Sequence, residues 1–239
     1  YKPQEDEQEA LRLAKKLSKM IQVDTTSHAG GDDPERFRAF HKTLAELFPL
    51  VFSKLEKTEI DGNLLFYWKG RSSEKPILLM SHQDVVPAEG KWEHEPFGGE
   101  IAEGKVWGRG TADTKASVMA FFQAVEELLK EDYTPKCDVY LASSCTEEWA
   151  GDGAPKLVQE LQRRSVELFL LCDEGGGIIS EPIGGIPGNF AMVGVFEKGK
   201  ADVKFTARSN GGHASAPMAN SPIARLSAFV TDVEKHDPF

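Results

Sequence analysis

The chain has 239 residues, 40% of them hydrophobic, which is enough for one large domain or for one domain and part of a second. Acidic residues outnumber basic ones by 38 to 28, and the formal net charge of -10 disfavours nucleic acid and anionic membranes as partners. No apolar run approaches the roughly 20 residues that span a bilayer. The polar N-terminus lacks the apolar core of a secretion signal, so we expect a cytoplasmic protein.

Three cysteines, an odd number without the close spacing of a zinc finger, are more typical of reduced thiols than of disulfides. They are Cys137, Cys145 and Cys172, and all lie in or beside apolar, strand-like stretches. We predict buried thiols in a reducing compartment.

The first part of the chain alternates helical and extended patterns. Apolar residues recur at helical spacing over 4–21, which predicts an amphipathic helix, and a second helix is predicted over 35–47. Residues 54–60 and 64–68 have the pattern of two strands, and the turn at 61–63 between them indicates a hairpin.

Three short apolar runs, 76–80, 139–142 and 168–171, each end in a segment that carries carboxylates or a histidine. Helical patterns at 115–130 and 153–163 separate them. Because strands alternate with helices, we predict an α/β fold with a mixed, largely parallel sheet flanked by helices. Ligands bind at the carboxyl ends of parallel strands, so these polar segments mark the expected site.

The last third of the chain has a different texture. Residues 175–189 are rich in Gly and Pro, which predicts a long loop or hairpin. From 201 to 207 apolar and polar residues alternate, as in a strand with one solvated face, and Ser221-Pro222 opens a predicted helix. We divide the chain into a domain of residues 1–198 and the first part of a second, α+β domain from 199 to 239.

Two segments carry candidate metal ligands before the middle of the chain. His82 and Asp84 stand two apart on an extended segment, so both side chains point to one side. A neutral imidazole binds divalent metals, and a nearby carboxylate can hold its second nitrogen. Asp113 follows a glycine-bearing turn before a predicted helix. It is either a helix cap or a carboxylate that bridges two cations.

Two further segments carry carboxylates at strand ends. Glu147 and Glu148 directly follow an apolar strand. Because neighbours on an extended segment face opposite ways, one can bind metal while the other acts on a water as general base and then acid. Asp173 ends the third strand, with a turn or helix cap as the alternative. One nitrogen with several oxygens favours zinc-type cations. The candidate ligands are therefore His82, Asp113, Asp173 and one of the pair Glu147 and Glu148.

With these residues assembled, the sequence resembles the M20 metallopeptidases, most of all the branch of carboxypeptidase S, the Gly-Xaa carboxypeptidases and the N-acyl-amino-acid hydrolases. The resemblance runs from about residue 23 to 217, and the ordered combination of motifs is highly specific. The matching segments are 81–87 (SHQDVVP), 92–97 (WEHEPF), 106–115 (VWGRGTADTK), 146–148 (TEE), 173–176 (DEGG) and 211–217 (GGHASAP). The implied fold is a zinc-peptidase-like catalytic domain, here 1–198, with an inserted lid domain that forms the dimer.

The resemblance implies a metal-binding role for each predicted ligand. His82 binds one metal, Asp113 bridges the two, and Glu148 binds the other. Asp173 is implied beside His82, but Glu174 is its neighbour in the sequence. The resemblance therefore leaves open which of the two carboxylates is the ligand.

Other residues are implied to act without binding metal. Asp84 orients the ligand histidine, and Glu147 is the general base. His213 matches a lid histidine that reaches the partner's active site and polarises the scissile carbonyl; the alternative is a histidine in a tight turn. The residue after the bridging aspartate is often acidic in the family and is Thr114 here. The resemblance implies a cis peptide bond before it.

The implied activity is metal-dependent cleavage of the amide bond of a dipeptide or short peptide beside a free C-terminal carboxylate. The implied cofactors are two divalent metal ions, with Zn²⁺ as the expected metal. An aminoacylase or N-acyl-amino-acid deacylase shares this centre, and an inactive metal-binding or dimerisation scaffold is the alternative of another class. The family's remaining ligand is a histidine near its C-terminus, and His236 lies in the wrong place to replace it. We expect that the rest of the lid and of the catalytic domain lies outside this chain, and that the full-length protein is a homodimer through the lid.

Overall fold

The computed structural model describes residues 6–30, 34–182, 184–196, 199, 202–213, 215–216 and 219–236. The chain forms two compact units, Tyr1–Gly176 and Gly177–Phe239. The division into a catalytic domain of 1–198 and a partial lid from 199 to 239 stays a prediction. Within the described ranges, no helix combines the length and the apolar character needed to cross a membrane.

The first unit contains every helix and strand that the sequence predicts before residue 175. In chain order they are α1 (Glu7–Ile21), α2 (Pro34–Leu47), α3 (Pro49–Lys54), β1 (Glu56–Ile60), β2 (Asn63–Trp68), β3 (Ser72–His82), β4 (Glu100–Ala102), β5 (Lys105–Trp107), α4 (Ala116–Lys130), β6 (Cys137–Ser144), α5 (Gly153–Arg163) and β7 (Leu170–Cys172). A π-helical turn, Thr111–Lys115, precedes α4. The sequence interpretation missed α3, β4 and β5, which are too short to show a clear periodicity.

Five of these strands form one sheet in the order β1-β2-β6-β3-β7. β1 and β2 form the predicted hairpin, and β2 pairs antiparallel with β6. β3 pairs parallel with both β6 and β7, so the sheet is mixed, as predicted. The carboxyl ends of β6, β3 and β7 therefore lie side by side, and the segments that follow them share one edge of the sheet.

Apolar side chains cover both faces of this sheet, and β2 shows how. Leu64 and Phe66 belong to a large buried cluster formed with α2, α3 and α4, whereas Leu65 belongs to a second cluster under α5. Successive residues of a strand point to opposite faces, so a continuous apolar run is what a strand buried on both sides requires. The core thus holds β3 and β6 rigidly behind the edge that carries the polar segments.

The second unit contains a hairpin and a helix. The antiparallel strands β8 (Gly177–Ser180) and β9 (Asn189–Met192) confirm the hairpin alternative for 175–189, and α6 (Pro222–His236) confirms the predicted last helix. The strand predicted over 201–207 is wrong for 202–207, since these residues belong to no strand, and Ala201 lies outside the described residues. A strand needs a neighbour for its backbone hydrogen bonds, and no described strand pairs with this segment.

All three cysteines lie in the described part of the chain, and no disulfide joins them there. Cys145 is buried and Cys137 is half-buried, but Cys172 is exposed. The prediction of burial is therefore wrong for Cys172. This residue ends β7, which is an edge strand of the sheet and carries no covering layer among the described residues.

Candidate metal centre

His82 is the last residue of β3, and only 2% of its surface is exposed. Its Nδ1 donates to the backbone carbonyl of Asp84 at 2.9 Å and lies 3.4 Å from the Asp84 carboxylate. Its Nε2 lies 3.1 Å from Oδ1 of Asp113 and 3.3 Å from Oε2 of Glu174. Because Nδ1 donates its proton to that carbonyl, Nε2 is the nitrogen that would bind a metal in the neutral ring. Without a metal, the carboxylates around Nε2 favour a proton there.

Two groups of side chains at this edge could each hold a divalent cation. Within each group, one ligand atom from every member lies within 4.8 Å of the others. The imidazole of β3 belongs to both groups, so the two candidate positions are adjacent. The groups are His82, Asp113 and Glu148, and His82, Glu147 and Glu174. The structure therefore brings together three of the four predicted ligands.

The fourth predicted ligand, Asp173, belongs to neither group among the described residues. Its neighbour Glu174 belongs to the group with His82 and Glu147. Oε2 of Glu174 lies 3.3 Å from Nε2 of His82. Oδ1 of Asp173 accepts a hydrogen bond from the backbone N–H of Glu174 at 2.8 Å. The geometry favours Glu174 as the candidate ligand, one residue beyond the prediction.

The charges at this edge suit a cation. Burial raises the pKa of Glu148, and neighbouring carboxylates raise it further while His82 lowers it. Burial likewise raises the pKa of Glu174. Burial lowers the pKa of His82, but its contact with Asp84 and the charges of Glu174 and Glu147 outweigh this and raise the pKa to about 10. Carboxylates that repel one another around a single imidazole form a nitrogen-and-oxygen donor set that a zinc-type ion would neutralise.

Asp84 has a second set of contacts that the sequence did not reveal. Its Oδ1 accepts from the backbone N–H of Glu147 at 3.2 Å, and its Oδ2 accepts from that of Glu148 at 3.1 Å and from the hydroxyl of Ser27 at 2.6 Å. Burial alone would raise the pKa of Asp84, but His82 and the hydrogen bonds from Ser27 and the backbone of Glu148 lower it. Asp84 therefore anchors the segment that carries the candidate base and a candidate ligand. Nothing in the spacing of these residues could have predicted a contact over 63 positions.

Asp113 lies in the π-helical turn before α4, and its side chain is 72% exposed. The predicted cis peptide bond between Asp113 and Thr114 is present. The turn begins after Gly110, whose φ of 86° favours glycine. A Cβ at this position would also meet Cγ1 of Val85 at 2.7 Å. Glycine therefore lets the turn pack directly against the chain that follows the ligand histidine.

Lys115 follows Asp113 by two residues and is completely buried. Its Nζ donates to the backbone carbonyls of Met20 at 3.2 Å and Val23 at 2.7 Å, and lies 4.9 Å from the centre of the Phe40 ring. Burial lowers the pKa of Lys115 to about 7. The sequence interpretation gave Lys115 no role. Its position at the end of the 106–115 motif was the feature of the sequence that could have drawn attention to it.

His213 lies in the second unit and is exposed. Its Nδ1 lies 2.7 Å from the hydroxyl of Ser215 and accepts from the Ser215 backbone N–H at 3.2 Å. Its carbonyl accepts from the backbone N–H of Ala216 at 2.9 Å. These contacts are those of a tight turn, and a catalytic role for His213 stays a prediction.

Comparison with known proteins places this site in a family. The sequence profile of peptidase family M20/M25/M40 matches residues 78–235. The chain therefore belongs to this peptidase family, as the motifs predicted.

Relatives of known name match almost the whole chain. It is 37% identical over 240 residues to the probable carboxypeptidase S-like 2 of Dictyostelium discoideum, which covers 95% of this chain and 46% of that protein. It is 37% identical over 224 residues to the N-fatty-acyl-amino acid synthase/hydrolase PM20D1.1 of Danio rerio, covering 90% of this chain and 44% of the relative. The chain thus spans about half the length of the curated relatives it matches.

A solved structure agrees with the fold. Human carnosine dipeptidase 1 superimposes with a TM-score of 0.57 at 16% sequence identity, covering 72% of this chain and 41% of that one. At this identity the likeness concerns the fold alone. It confirms the predicted mixed sheet with flanking helices as a peptidase-type architecture.

Proposed function

We propose that this chain provides most of a two-metal hydrolytic centre that cleaves an amide bond beside a free carboxylate, in a dipeptide, a short peptide or an N-acyl amino acid. The observation that carries the proposal is the convergence of carboxylates from two strand ends and one turn on the buried imidazole of His82, which ends a third strand. Membership of the M20/M25/M40 family supports the same reaction class.

The residues that would hold the metal ions are His82, Asp113, Glu148 and Glu174. The bridging role of Asp113 is proposed from the family resemblance, since only one of the two groups contains this residue. The one nitrogen and several oxygens of these four residues favour Zn²⁺. Two such ions, when bound, acidify a water and polarise the scissile carbonyl. Glu174 is proposed in preference to its neighbour Asp173 because Oε2 of Glu174 lies 3.3 Å from Nε2 of His82.

Glu147 is the proposed general base. Its Oε2 lies 3.8 Å from Nε2 of His82, and the side chain is 51% exposed, so a water can reach it. In this role the carboxylate takes the proton of the attacking water and then delivers it to the leaving amine. Asp84 holds the backbone of Glu147 in place.

The names of the relatives support two substrate classes. One is a probable carboxypeptidase S-like protein and the other an N-fatty-acyl-amino acid synthase/hydrolase. We therefore keep the N-acyl-amino-acid deacylase as the second candidate. A homodimer through the lid, with His213 acting on the partner's substrate, is a further proposal that rests on the family resemblance alone. The cytoplasmic location likewise stays a prediction from sequence.

The test is metal analysis of the full-length protein with a hydrolysis screen across dipeptides and N-acyl amino acids. Replacing Glu147→Gln should lower turnover by about 10²–10⁴-fold, the usual contribution of a general base, while both metals remain bound. Glu46→Gln is the control, because Glu46 is an exposed carboxylate on α2 outside both ligand groups.

Each outcome of this test has a distinct meaning. Equal loss of metal and activity in Glu147→Gln would mean that Glu147 binds metal and that Glu148 is the base. A wild-type protein that holds two metals but hydrolyses neither substrate class would support the scaffold alternative.

A further inference from the structure

Residues 23–27, which connect α1 to the chain before α2, form an anchor segment beside the candidate ligands. The backbone N–H of Val85 donates to the carbonyl of Thr25 at 3.2 Å, and that of Ser27 donates to the carbonyl of Val85 at 3.1 Å. The Thr25 hydroxyl donates to the carbonyl of Gln83 at 2.6 Å, and Thr25 is completely buried. The anchor segment therefore fixes the backbone on both sides of residue 84.

Lys115 ties the same anchor segment to the turn that carries Asp113. Its two hydrogen bonds go to the carbonyl of Val23, in the anchor segment, and to that of Met20 in the last turn of α1. Asp24, in the same anchor segment, is the carboxylate whose charge acts on this buried amine. Burying an amine is unfavourable unless its N–H groups are hydrogen-bonded, and an apolar side chain would fill the space without that cost. The position is thus explained better by the two hydrogen bonds than by packing.

We propose that Lys115 is a positioning residue of the metal centre. Through the anchor segment it fixes the distance between the turn that carries Asp113 and the strand end that carries His82. This inference rests on the proposed function, since it needs both residues as ligands. The exposed carboxylate of Asp113 has little packing around it, so its position depends on the backbone of the turn.

The experiment compares Lys115→Met with Lys16→Met in the full-length protein. Lys16 is a matched control: its Nζ donates to the carbonyl of Leu47 at 2.8 Å and to Oε1 of Gln123 at 2.7 Å, and lies 4.3 Å from the Phe48 ring. Both lysines anchor α1, but only Lys115 is linked to a ligand-bearing turn. Unfolding of the metal-free proteins is measured beside Zn²⁺ affinity, by competition with a chromophoric chelator.

We expect Lys115→Met to bind Zn²⁺ at least about tenfold more weakly, the effect typical of residues that support metal ligands. Lys16→Met should keep the wild-type affinity even where its unfolding midpoint falls. Wild-type Zn²⁺ affinity in Lys115→Met would overturn the proposal, because a purely structural lysine would change unfolding only.

A second variant keeps the inference testable if Lys115→Met does not fold. Thr25→Val replaces the hydroxyl that donates to the carbonyl of Gln83 with a methyl group of similar size. It should fold and bind Zn²⁺ severalfold more weakly, and unchanged affinity would refute the anchor segment as a positioning element. Failure of the proposed function is recognised separately, since it would appear as absent hydrolysis in a wild-type protein that binds zinc.

Discussion

A single position separates the predicted ligand Asp173 from the carboxylate that faces His82. Both residues are acidic and both follow the same strand, so composition cannot distinguish them. The direction of each side chain depends on where the strand stops, and β7 ends at Cys172. In the folded chain, Oε2 of Glu174 lies 3.3 Å from Nε2 of His82.

This difference gives a matched pair of variants. Glu174→Gln should bind one metal ion fewer per chain, with an affinity loss beyond the roughly 10–100-fold typical of residues that only support ligands. Asp173→Asn should keep both ions, because the amide oxygen can still accept from the backbone N–H of residue 174. Metal content after gel filtration and zinc titration measure both. The reverse pattern would restore Asp173 as the ligand.

At the scale of elements, the turn before α4 depends on two different properties of Gly110. Its φ of 86° is costly for other residues, and a Cβ would meet the buried Val85 at 2.7 Å. Gly90 has a similar φ of 81° but nothing within 4 Å of its Cβ position. The pair therefore separates backbone strain from steric contact.

We expect Gly90→Ala to lower the free energy of unfolding by about 1–2 kcal/mol, the cost of a left-handed backbone. Gly110→Ala should lose about 1–3 kcal/mol more through overpacking, and should also weaken metal binding because the turn shifts. Chemical denaturation and zinc titration of both variants test this. Equal losses of unfolding free energy in the two variants would show that the side chain of Val85 moves away from the new Cβ without destabilising the protein.

The elements also show what the sequence could and could not predict. Short continuous apolar runs located β3, β6 and β7, and the polar segments after them indicated the correct edge of the sheet. Contacts between distant segments were not predictable, as with Asp84 and the backbone of Glu147 or Lys115 and that of Val23. Such pairs depend on the register of the folded chain, which local patterns do not contain. The missing strand over 202–207 is the opposite case, a correct local pattern without a neighbour to pair with.

On the scale of the molecule, every candidate ligand belongs to the first unit, Tyr1–Gly176. This unit also supplies the proposed base and the residues that hold both in place. Metal binding and the stability of this unit should therefore be linked, because an ion that binds only the folded state stabilises it by mass action.

Removal of metal from the purified chain should lower its thermal unfolding temperature by about 5–10 °C. A free metal concentration of 100 times Kd contributes about 2.7 kcal/mol, and each kcal/mol corresponds to about 2–4 °C in a domain of this size. Scanning calorimetry before and after chelation, with zinc added back, measures the shift. Glu147→Gln should show the full shift and Glu174→Gln a smaller one. An unfolding temperature that stays the same after chelation and after zinc is added back would contradict a metal centre in this unit.

The carboxylate of Asp84 grips two successive peptide N–H groups, those of Glu147 and Glu148. In the proposed reaction Glu147 transfers protons and Glu148 binds metal. Because both backbone N–H groups donate to the same carboxylate, a displacement of the loop moves the proposed base and the proposed ligand together. A substitution at Asp84 would then disturb both at once, and neither could be retuned without affecting the other.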